Sequence, residues 1–463
     1  MTPSTGTNSG HSLPDPSRGA AVLADDRAHV FHSWSAQASL NPTPIAGGLG
    51  CTIWDYEGNE WLDFSSQLVN TNIGHQHPEV VAAIQKAAGE LCTIAPAMAN
   101  EARGKLAKRL SELAPPKLNK VFFTNAGAEA NEHAIRMAKL HTGRNKVMAA
   151  YRSYHGATSQ AIALTGDPRR WGSEPTVNGT VRFHGPYLYR SAFYATTEQE
   201  ESERALAHLR EVLMYEGGHT IAAIILEPVV GTNGVLVPPA GYLPGVREIC
   251  DEFGIVLIAD EVMTGFGRMG HWFAVDAWGV EPDLITFAKG VNSGYVPLGG
   301  VIISDDIAAT FADRVYPGGL TYSGHPLACA SGVAALEVLT RDNIVQHVHQ
   351  LGEEIIRPRL AKMVESHPSL GEARGMGMMW ALELVKDKAT REPYVPFNAA
   401  GPAAAPMQSL TAECKKRGLW PFVHFNRIHV VPPLVISEQE LTRGLDILDE
   451  VLGVADLTLA CRG

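Results

Sequence analysis

Three short segments of the sequence place reactive or ion-binding groups directly after apolar runs of strand length. Lys289 follows the run from Leu284 to Ala288 and precedes a glycine. A lysine in an apolar environment that excludes water has a lowered pKa, which suits an amine nucleophile or a Schiff-base former. A single lysine at a strand end is more often an ordinary surface residue, so the other two segments must decide between these interpretations.

The second segment is the apolar run from Val256 to Ala259, which ends in the carboxylate Asp260. The carboxyl end of a parallel strand is the usual ligand-binding position of an open α/β sheet. A buried carboxylate needs a cationic partner. The sequence therefore leaves three interpretations of Asp260: a structural salt bridge, a metal ligand, or a partner for a protonated pyridine nitrogen.

The third segment predicts a strand over Val121 to Thr124, a small-residue turn, and a helix from about Ala128 to Thr142. Free N–H groups at the start of a helix bind anions, and Gly127 in the turn lets a phosphate approach closely. Such turns are common connectors in α/β proteins. The order of phosphate turn, acid and lysine along the chain is what favours a cofactor site.

The elements around these segments indicate an α/β fold. Continuous apolar runs, such as Ile221 to Leu226, are typical of parallel strands covered by helices on both faces. Helical character over Asp26 to Gln37 and alternation over Gly47 to Asp63 predict a helix beside a small β meander. From about Asp342 the pattern mixes helices and strands, as in a separate α+β lobe.

Four parts of the chain follow from these patterns. We expect a disordered tail over residues 1–20, an N-terminal segment of a small domain over 21–75, a large cofactor-binding domain over 76–341, and a C-terminal small domain over 342–463. The large domain is predicted to contain a mostly parallel sheet flanked by helices. The small α+β domain is predicted to combine the N- and C-terminal segments.

Composition narrows the functional class. The formal net charge is -11 without a Lys/Arg-rich tract, which argues against a nucleic-acid or anionic-membrane partner. The six cysteines are scattered singly, as expected for free thiols in a reducing compartment. No apolar run reaches the ~18 residues of a membrane span, and the first residues lack signal-peptide character. We expect a soluble, cytoplasmic protein.

Together the motifs resemble those of class III (ω-type) aminotransferases, which are fold-type-I pyridoxal-phosphate enzymes. The resemblance runs from about Trp34 to Ile447. The matching segments are Gly74-His75-Gln76-His77-Pro78, Asn125-Ala126-Gly127-Ala128-Glu129-Ala130-Asn131, Tyr154-His155-Gly156, Glu227-Pro228, Asp260-Glu261-Val262, Lys289-Gly290 and Thr321-Tyr322-Ser323-Gly324-His325-Pro326.

The resemblance implies pyridoxal 5'-phosphate as the cofactor and assigns the catalytic residues. Lys289 is expected to hold the cofactor as an internal aldimine and to move the proton during catalysis. Asp260 is expected to pair with the protonated pyridine nitrogen, which keeps the ring an electron sink. The remaining cofactor contacts implied by the resemblance come from Ala126, Gly127, Ala128, Tyr154, His155, Glu227, Val262 and Thr321.

Some of these contacts have specific expected positions. Tyr154 and Val262 are expected on the two faces of the ring. Ala126 replaces a hydroxyl residue that is common in the family, so backbone amides must carry more of the phosphate binding. Thr321 is expected to reach the phosphate of the neighbouring subunit, which implies a homodimer and leaves a tetramer open.

The resemblance implies transfer of an amino group from a terminal amine, such as an ω-amino acid or a taurine-like compound, to a 2-oxo acid such as pyruvate or 2-oxoglutarate. The chain looks most like the taurine and β-alanine branch. The expected substrate residues are Trp34, Leu68, Arg374, Phe422 and Arg427.

The two arginines among these residues are open questions for substrate recognition. Arg374 binds either a substrate carboxylate or a structural acid. Phe422 stands where many amine-type relatives carry an arginine, and Arg427 is the candidate to replace it. How the acid is recognised is therefore undecided at this point.

No metal is assigned from the histidines. His75 and His77 fall in a turn that resembles the family's structural Gly-His-x-His-Pro. His424 and His429 lack a further ligand at metal-site spacing.

Two other functions use the same residues. An aminomutase of the glutamate-1-semialdehyde type shares every cofactor residue but moves an amine within one molecule. A cofactor-binding protein without turnover is disfavoured because the lysine, the acid and the stacking tyrosine occur together. We expect a ping-pong aminotransferase.

Overall fold

The computed structural model describes residues 14–460. Within them the strands are β1 (Ile45–Leu49), β2 (Thr52–Asp55), β3 (Glu60–Asp63), β4 (Leu118–Thr124), β5 (Lys146–Ala150), β6 (Thr180–Phe183), β7 (Ile221–Leu226), β8 (Val256–Asp260), β9 (Leu284–Phe287), β10 (Gly299–Ser304), β11 (Leu370–Met376), β12 (Met379–Asp387), β13 (Glu392–Pro393), β14 (Leu419–Trp420), β15 (Phe422–His424) and β16 (Arg427–Val430).

The α-helices of the same residues are α1 (Pro16–His29), α2 (Ser66–Val69), α3 (Pro78–Glu90), α4 (Glu101–Leu113), α5 (Gly127–Thr142), α6 (Ser159–Leu164), α7 (Glu198–Glu216), α8 (Tyr242–Phe253), α9 (Asp305–Ala309), α10 (Pro326–Arg341), α11 (Ile344–Leu351), α12 (Arg357–Ser366), α13 (Ala405–Lys416) and α14 (Glu438–Ala460). A π-helical turn, Gly352–Ile356, joins α11 to α12. A 3₁₀ turn, Lys289–Val291, follows β9.

A seven-stranded sheet in the order β4-β10-β9-β8-β7-β5-β6 forms the centre of the fold. The neighbours from β6 to β9 run parallel, and β10 is antiparallel to both β9 and β4. Every residue of β7 and β8 is buried, as the continuous apolar runs require when helices cover both faces. The expected α/β sheet is confirmed.

One of two smaller sheets combines the two ends of the chain, and the other is built from C-terminal strands. β14 pairs in parallel with β3, with Leu419 opposite Leu62, in the sheet β1-β2-β3-β14. β11, β12, β16 and β15 form a third sheet, with β13 against β12. The N- and C-terminal segments therefore build a common α+β lobe, as expected. The domain boundaries at residues 76 and 342 stay a prediction.

The N-terminal helix differs from expectation in both its start and its end. Helix α1 begins at Pro16, so the expected disordered tail does not extend to residue 20, and residues 1–13 lie outside the described part of the chain. Asp15 caps the helix by accepting a hydrogen bond from the amide of Arg18 at 3.1 Å, and proline at the first position presets the backbone. The helix ends at His29, because Val30 is extended.

Arg268 joins the two lobes from a fully buried position. Its guanidinium donates to four acceptors on three segments that are distant in sequence: the carbonyls of Met378 (3.1 Å) and Pro432 (2.5 Å), the hydroxyl of Ser66 (3.2 Å) and the side-chain carbonyl of Asn72 (3.1 Å). Burial lowers the pKa of Arg268 to about 9. These bonds hold the edge of the central sheet against both chain ends.

Two expectations from composition can be compared with the described residues. The free thiols within residues 14–460 are Cys51, Cys92, Cys250, Cys329 and Cys414, while Cys461 lies outside them. Over the same residues, no helix has both the length and the apolar character needed to cross a bilayer.

His367 links the end of α12 to helix α14 through both of its ring nitrogens. Nδ1 lies 2.6 Å from Asp456 and Nε2 lies 2.8 Å from Asp449. Burial alone would lower the pKa of His367, but the hydrogen bonds to the two carboxylates outweigh it and raise the pKa above its usual value. The imidazolium form therefore stabilises the packing of α14.

We predict that His367→Gln destabilises the fold more at low pH than at high pH. The raised pKa means that the contribution is complete below the unfolded value of about 6.5 and is lost as pH rises through the folded value. The variant should lose about 1 kcal/mol of unfolding free energy at pH 6, since the site is partly screened by solvent. Urea unfolding at pH 6 and pH 9 measures this, and an equal loss at both pH values would contradict it.

Candidate active site

The predicted chemical residues meet at one edge of the central sheet. Strands β4, β5, β7, β8 and β9 share a direction, so their carboxyl ends lie side by side. The segments that follow these ends carry the small-residue turn, Tyr154, Glu227, Asp260 and Lys289. This is the ligand-binding edge of an open α/β sheet.

Asp260 is the last residue of β8 and is 3% exposed. Its Oδ2 lies 2.8 Å from Nδ2 of Asn131 and 2.7 Å from Nδ1 of His155, while Oδ1 accepts from the amide of Val262 at 3.1 Å. The carboxylate is thus oriented by three neighbours from three separate elements. Asn131 is a positioning residue whose role the sequence did not indicate, although it lies within the turn-and-helix motif.

Lys289 begins the 3₁₀ turn after β9, with a left-handed φ of 47°. Its ammonium makes no hydrogen bond within residues 14–460. Loss of water lowers the pKa of Lys289 to about 8, while the negative charges of Asp260 and Glu227 act in the opposite direction. The unprotonated amine, which is the nucleophilic form, is therefore more accessible near neutral pH than in an ordinary lysine.

Glu227 follows β7 and turns its carboxylate back onto the backbone. Oε1 accepts from the amide of Tyr154 and Oε2 from the amide of Gly231, each at 2.8 Å. Burial raises the pKa of Glu227 to about 7. Its charge therefore depends on pH in the neutral range, and it fixes the loop that carries Tyr154.

The small-residue turn presents backbone amides at the start of α5, with Ala126 as the residue before the helix. A side chain cannot be added at Gly127 without a clash, because its Cβ atom would lie 2.7 Å from Cγ1 of Val262. The turn and Val262 therefore border the same narrow space. Ala128 completes the first turn, whose amides lack partners within a helix.

Tyr154 is held between two side chains. The guanidinium carbon of Arg169 lies 3.5 Å from its ring centroid, and the Trp34 side chain hydrogen-bonds to its hydroxyl. Arg169 is anchored by Asp167, with Nε 2.8 Å from Oδ2. Arg169 and Asp167 are site residues that sequence analysis missed, because neither belongs to a recognised motif.

The two candidate arginines differ in what they bind. Arg374 donates through Nε to the carbonyl of Gly234 and through Nη2 to Glu383, each at 2.7 Å, and through Nη1 to Glu372. All three nitrogens of Arg374 are engaged, which corresponds to the alternative in which it pairs with structural acids.

Arg427 is 4% exposed, and its guanidinium makes no hydrogen bond or ion pair within residues 14–460. Its Nη1 reaches the loop after Glu227, since a Cβ atom at Gly234 would lie 3.3 Å from it. Phe422 lies on the same face of the β15–β16 hairpin, with its ring 4.9 Å from that of His429.

The remaining predicted residues lie at the edges of this region. Leu68 and Phe422 line one cavity of about 430 Å³. Trp34 is 65% exposed. Thr321 lies exposed in the segment before α10. His75 bonds Asp63 at 2.9 Å.

No group of three metal-ligating side chains occurs among the residues that the structure describes.

The fold and the site together define a pyridoxal-phosphate enzyme of fold type I. The chain belongs to the class-III aminotransferase family, whose family model, Aminotransferase class-III, matches residues 35–452. This confirms the resemblance and its extent.

Three relatives illustrate the family. The chain is similar to the solved taurine:2-oxoglutarate aminotransferase of Bifidobacterium kashiwanohense in complex with PLP and glutamate, at 43% identity and a TM-score of 0.92, covering 95% of this chain and 99% of that one. It is 34% identical to the putrescine–pyruvate aminotransferase of Pseudomonas aeruginosa, covering 91% of this chain and 92% of that protein. It is 31% identical to the taurine–pyruvate aminotransferase of Rhodobacter capsulatus, covering 96% and 99%.

Pyridoxal phosphate is the cofactor of this enzyme class, and the residues present fit it. The unbonded amine of Lys289 suits a covalent link to an aldehyde. Asp260, already oriented, suits a ring nitrogen. The side-chain-free turn at Gly127 suits a phosphate.

We predict that Gly127→Ala weakens pyridoxal-phosphate binding about tenfold, because the added methyl group must displace Val262. Adding Val262→Ala in the same chain should restore part of the affinity by removing the clashing methyl groups. Fluorescence titration of the apoenzyme with the cofactor measures both. Wild-type affinity in Gly127→Ala would contradict the close approach at this turn.

Proposed function

We propose that this aminotransferase moves an amino group from a terminal amine to a 2-oxo acid in two half-reactions through Lys289. The observation that carries the proposal is the desolvated amine of Lys289 beside the carboxylates Asp260 and Glu227. The relatives support the donor class, since their names specify taurine or putrescine as donors and pyruvate or 2-oxoglutarate as acceptors. Both donors carry the amine on a terminal carbon.

Each residue of the site has a role in this proposal. When bound, the cofactor withdraws electrons from the substrate carbon that loses its proton. Lys289 binds the cofactor and carries that proton. Asp260, oriented by Asn131 and His155, holds the proton on the ring nitrogen. Tyr154 covers one ring face and excludes water, and Val262 borders the other.

Arg427 is the proposed anchor for the acid group of the substrate. A buried guanidinium without a hydrogen-bond partner is costly unless an anion completes it, and a planar carboxylate accepts two parallel bonds from it. Arg374 already has three acceptors. This difference favours Arg427, with Phe422 and Leu68 lining the nearby groove and Trp34 beside Tyr154.

The proposed assembly is a homodimer. Thr321 lies exposed in this chain, as a residue must be if it serves the phosphate of a neighbouring site. A tetramer of such dimers is compatible with the same contact.

We predict that the holoenzyme mixed with putrescine or β-alanine alone completes one half-reaction per site and stops. Addition of pyruvate or 2-oxoglutarate should restart turnover, because only an acceptor returns the amine-loaded form to its starting state. Visible absorbance and product counting measure this. Lys289→Ala is the matched control: it should bind the cofactor through the turn but lack the covalent linkage band and the half-reaction.

The competing function has a distinct outcome. Continuous turnover of a single aminoaldehyde without any 2-oxo acid would contradict the transfer reaction and identify an aminomutase. Full activity of Lys289→Ala would contradict the role of the lysine.

We predict that Arg427→Met raises the KM for the 2-oxo acid at least tenfold, which corresponds to loss of a charge-assisted pair. The half-reaction with putrescine, which has no acid group, should change much less. Arg374→Met should instead destabilise the fold by about 3 kcal/mol, since Glu383 loses a buried partner, with a smaller effect on KM. Steady-state kinetics and urea unfolding of both variants measure this, and the reverse pattern would assign the acid to Arg374.

A further inference from the structure

A second cavity of about 420 Å³ lies beside the loop after β7. Its mouth is lined by the exposed side chains of Tyr151 and Trp171, and its floor by the buried Leu226 and Tyr242. Glu227 contributes to one wall, whereas Lys289, Asp260 and Tyr154 do not line it. The cavity is therefore next to the active site but separate from its reacting groups.

Arg152 lines this cavity and is the unusual residue of its wall. Its backbone has a left-handed φ of 69°, and its guanidinium carbon lies 4.8 Å from the ring centroid of Tyr187. Within residues 14–460 its guanidinium makes no hydrogen bond or ion pair. Burial lowers the pKa of Arg152, while the negative charge of Glu383 acts in the opposite direction. The side chain is half-buried in the cavity wall.

The neighbouring acids are bonded to other arginines. Glu383 is held by Arg190 at 2.7 Å and by Arg374 at 2.7 Å. Arg170, which also lines the cavity, is paired with Glu174 at 2.8 Å. Glu227 also lines the cavity, but its carboxylate is turned onto the backbone amides of Tyr154 and Gly231. Arg152 is therefore a cation of this wall that no acid within residues 14–460 bonds.

We propose that this cavity binds a small aromatic carboxylate, whose acid group pairs with Arg152. A half-buried guanidinium without a bonded acid within residues 14–460 can take an anion as its partner, and it matches a carboxylate through two parallel bonds. The exposed aromatic side chains Tyr151 and Trp171 supply faces for a ring. The volume lies within the range of small-molecule sites. This ligand site is additional to the substrate site proposed around Arg427.

We predict that phenylacetate binds to the holoenzyme with Arg427→Met, in which the substrate's acid anchor is absent, at one site per chain. Phenylacetamide, which has the same ring without the charge, should bind at least tenfold more weakly. Adding Arg152→Met should reduce phenylacetate affinity at least tenfold, and Arg152→Lys should reduce it less because the charge remains. Isothermal titration of the holoenzyme variants measures these affinities.

Arg170→Met is the matched control, since it removes a charge from the same wall that already has a carboxylate partner. It should weaken phenylacetate binding much less than Arg152→Met. Equal binding of acid and amide, absence of phenylacetate binding, or unchanged binding in Arg152→Met would each overturn the proposal. None of these results depends on the aminotransferase half-reactions, so failure here and failure of the proposed function are distinguishable.

Discussion

The side chain of Lys289, in the turn after β9, is largely removed from water. The charges of the other groups in the site must be arranged around this dehydrated amine. Without water the neutral amine is favoured, so the pKa falls to about 8. The carboxylates of Asp260 and Glu227 limit that fall, because their strands end at the same edge of the sheet. The parallel order of β7, β8 and β9 is therefore an electrostatic requirement as well as a packing arrangement.

The arginines near Glu383 differ in whether an acid of the chain bonds them. Arg374 and Arg190 bind Glu383 and hold its pKa to about 2, although burial alone would raise it. Such arginines stabilise the lobe and are unavailable to a ligand. The charge of Glu383 also acts on Arg427 and Arg152, but within residues 14–460 neither of these two makes a hydrogen bond or an ion pair. They are the arginines for which we propose anionic ligands.

The sequence predicted the parts of the fold that depend on local pattern. The apolar runs of β7 and β8 and the turn at Gly127 are readable because burial on both faces and close backbone approach each restrict residue type. Arg169 was not predicted because its role depends on its contact with Tyr154. The two residues are fifteen positions apart in the sequence and become neighbours only in the folded structure. The partners of Arg374 were likewise hidden, because Glu383 becomes its neighbour through the β11–β12 pairing. The early start of α1 depended on a single cap at Asp15.

Burial brings the pKa values of two groups of the site, Lys289 and Glu227, close together. It lowers the pKa of Lys289 and raises that of Glu227, so both groups titrate near neutral pH. Asp260, in contrast, is held by three hydrogen bonds from Asn131, His155 and Val262. The orientation of its carboxylate is therefore set by the fold, at the position proposed for the partner of the ring nitrogen. Near the amine the charge is adjustable, which is what a group that must take up and return a proton requires.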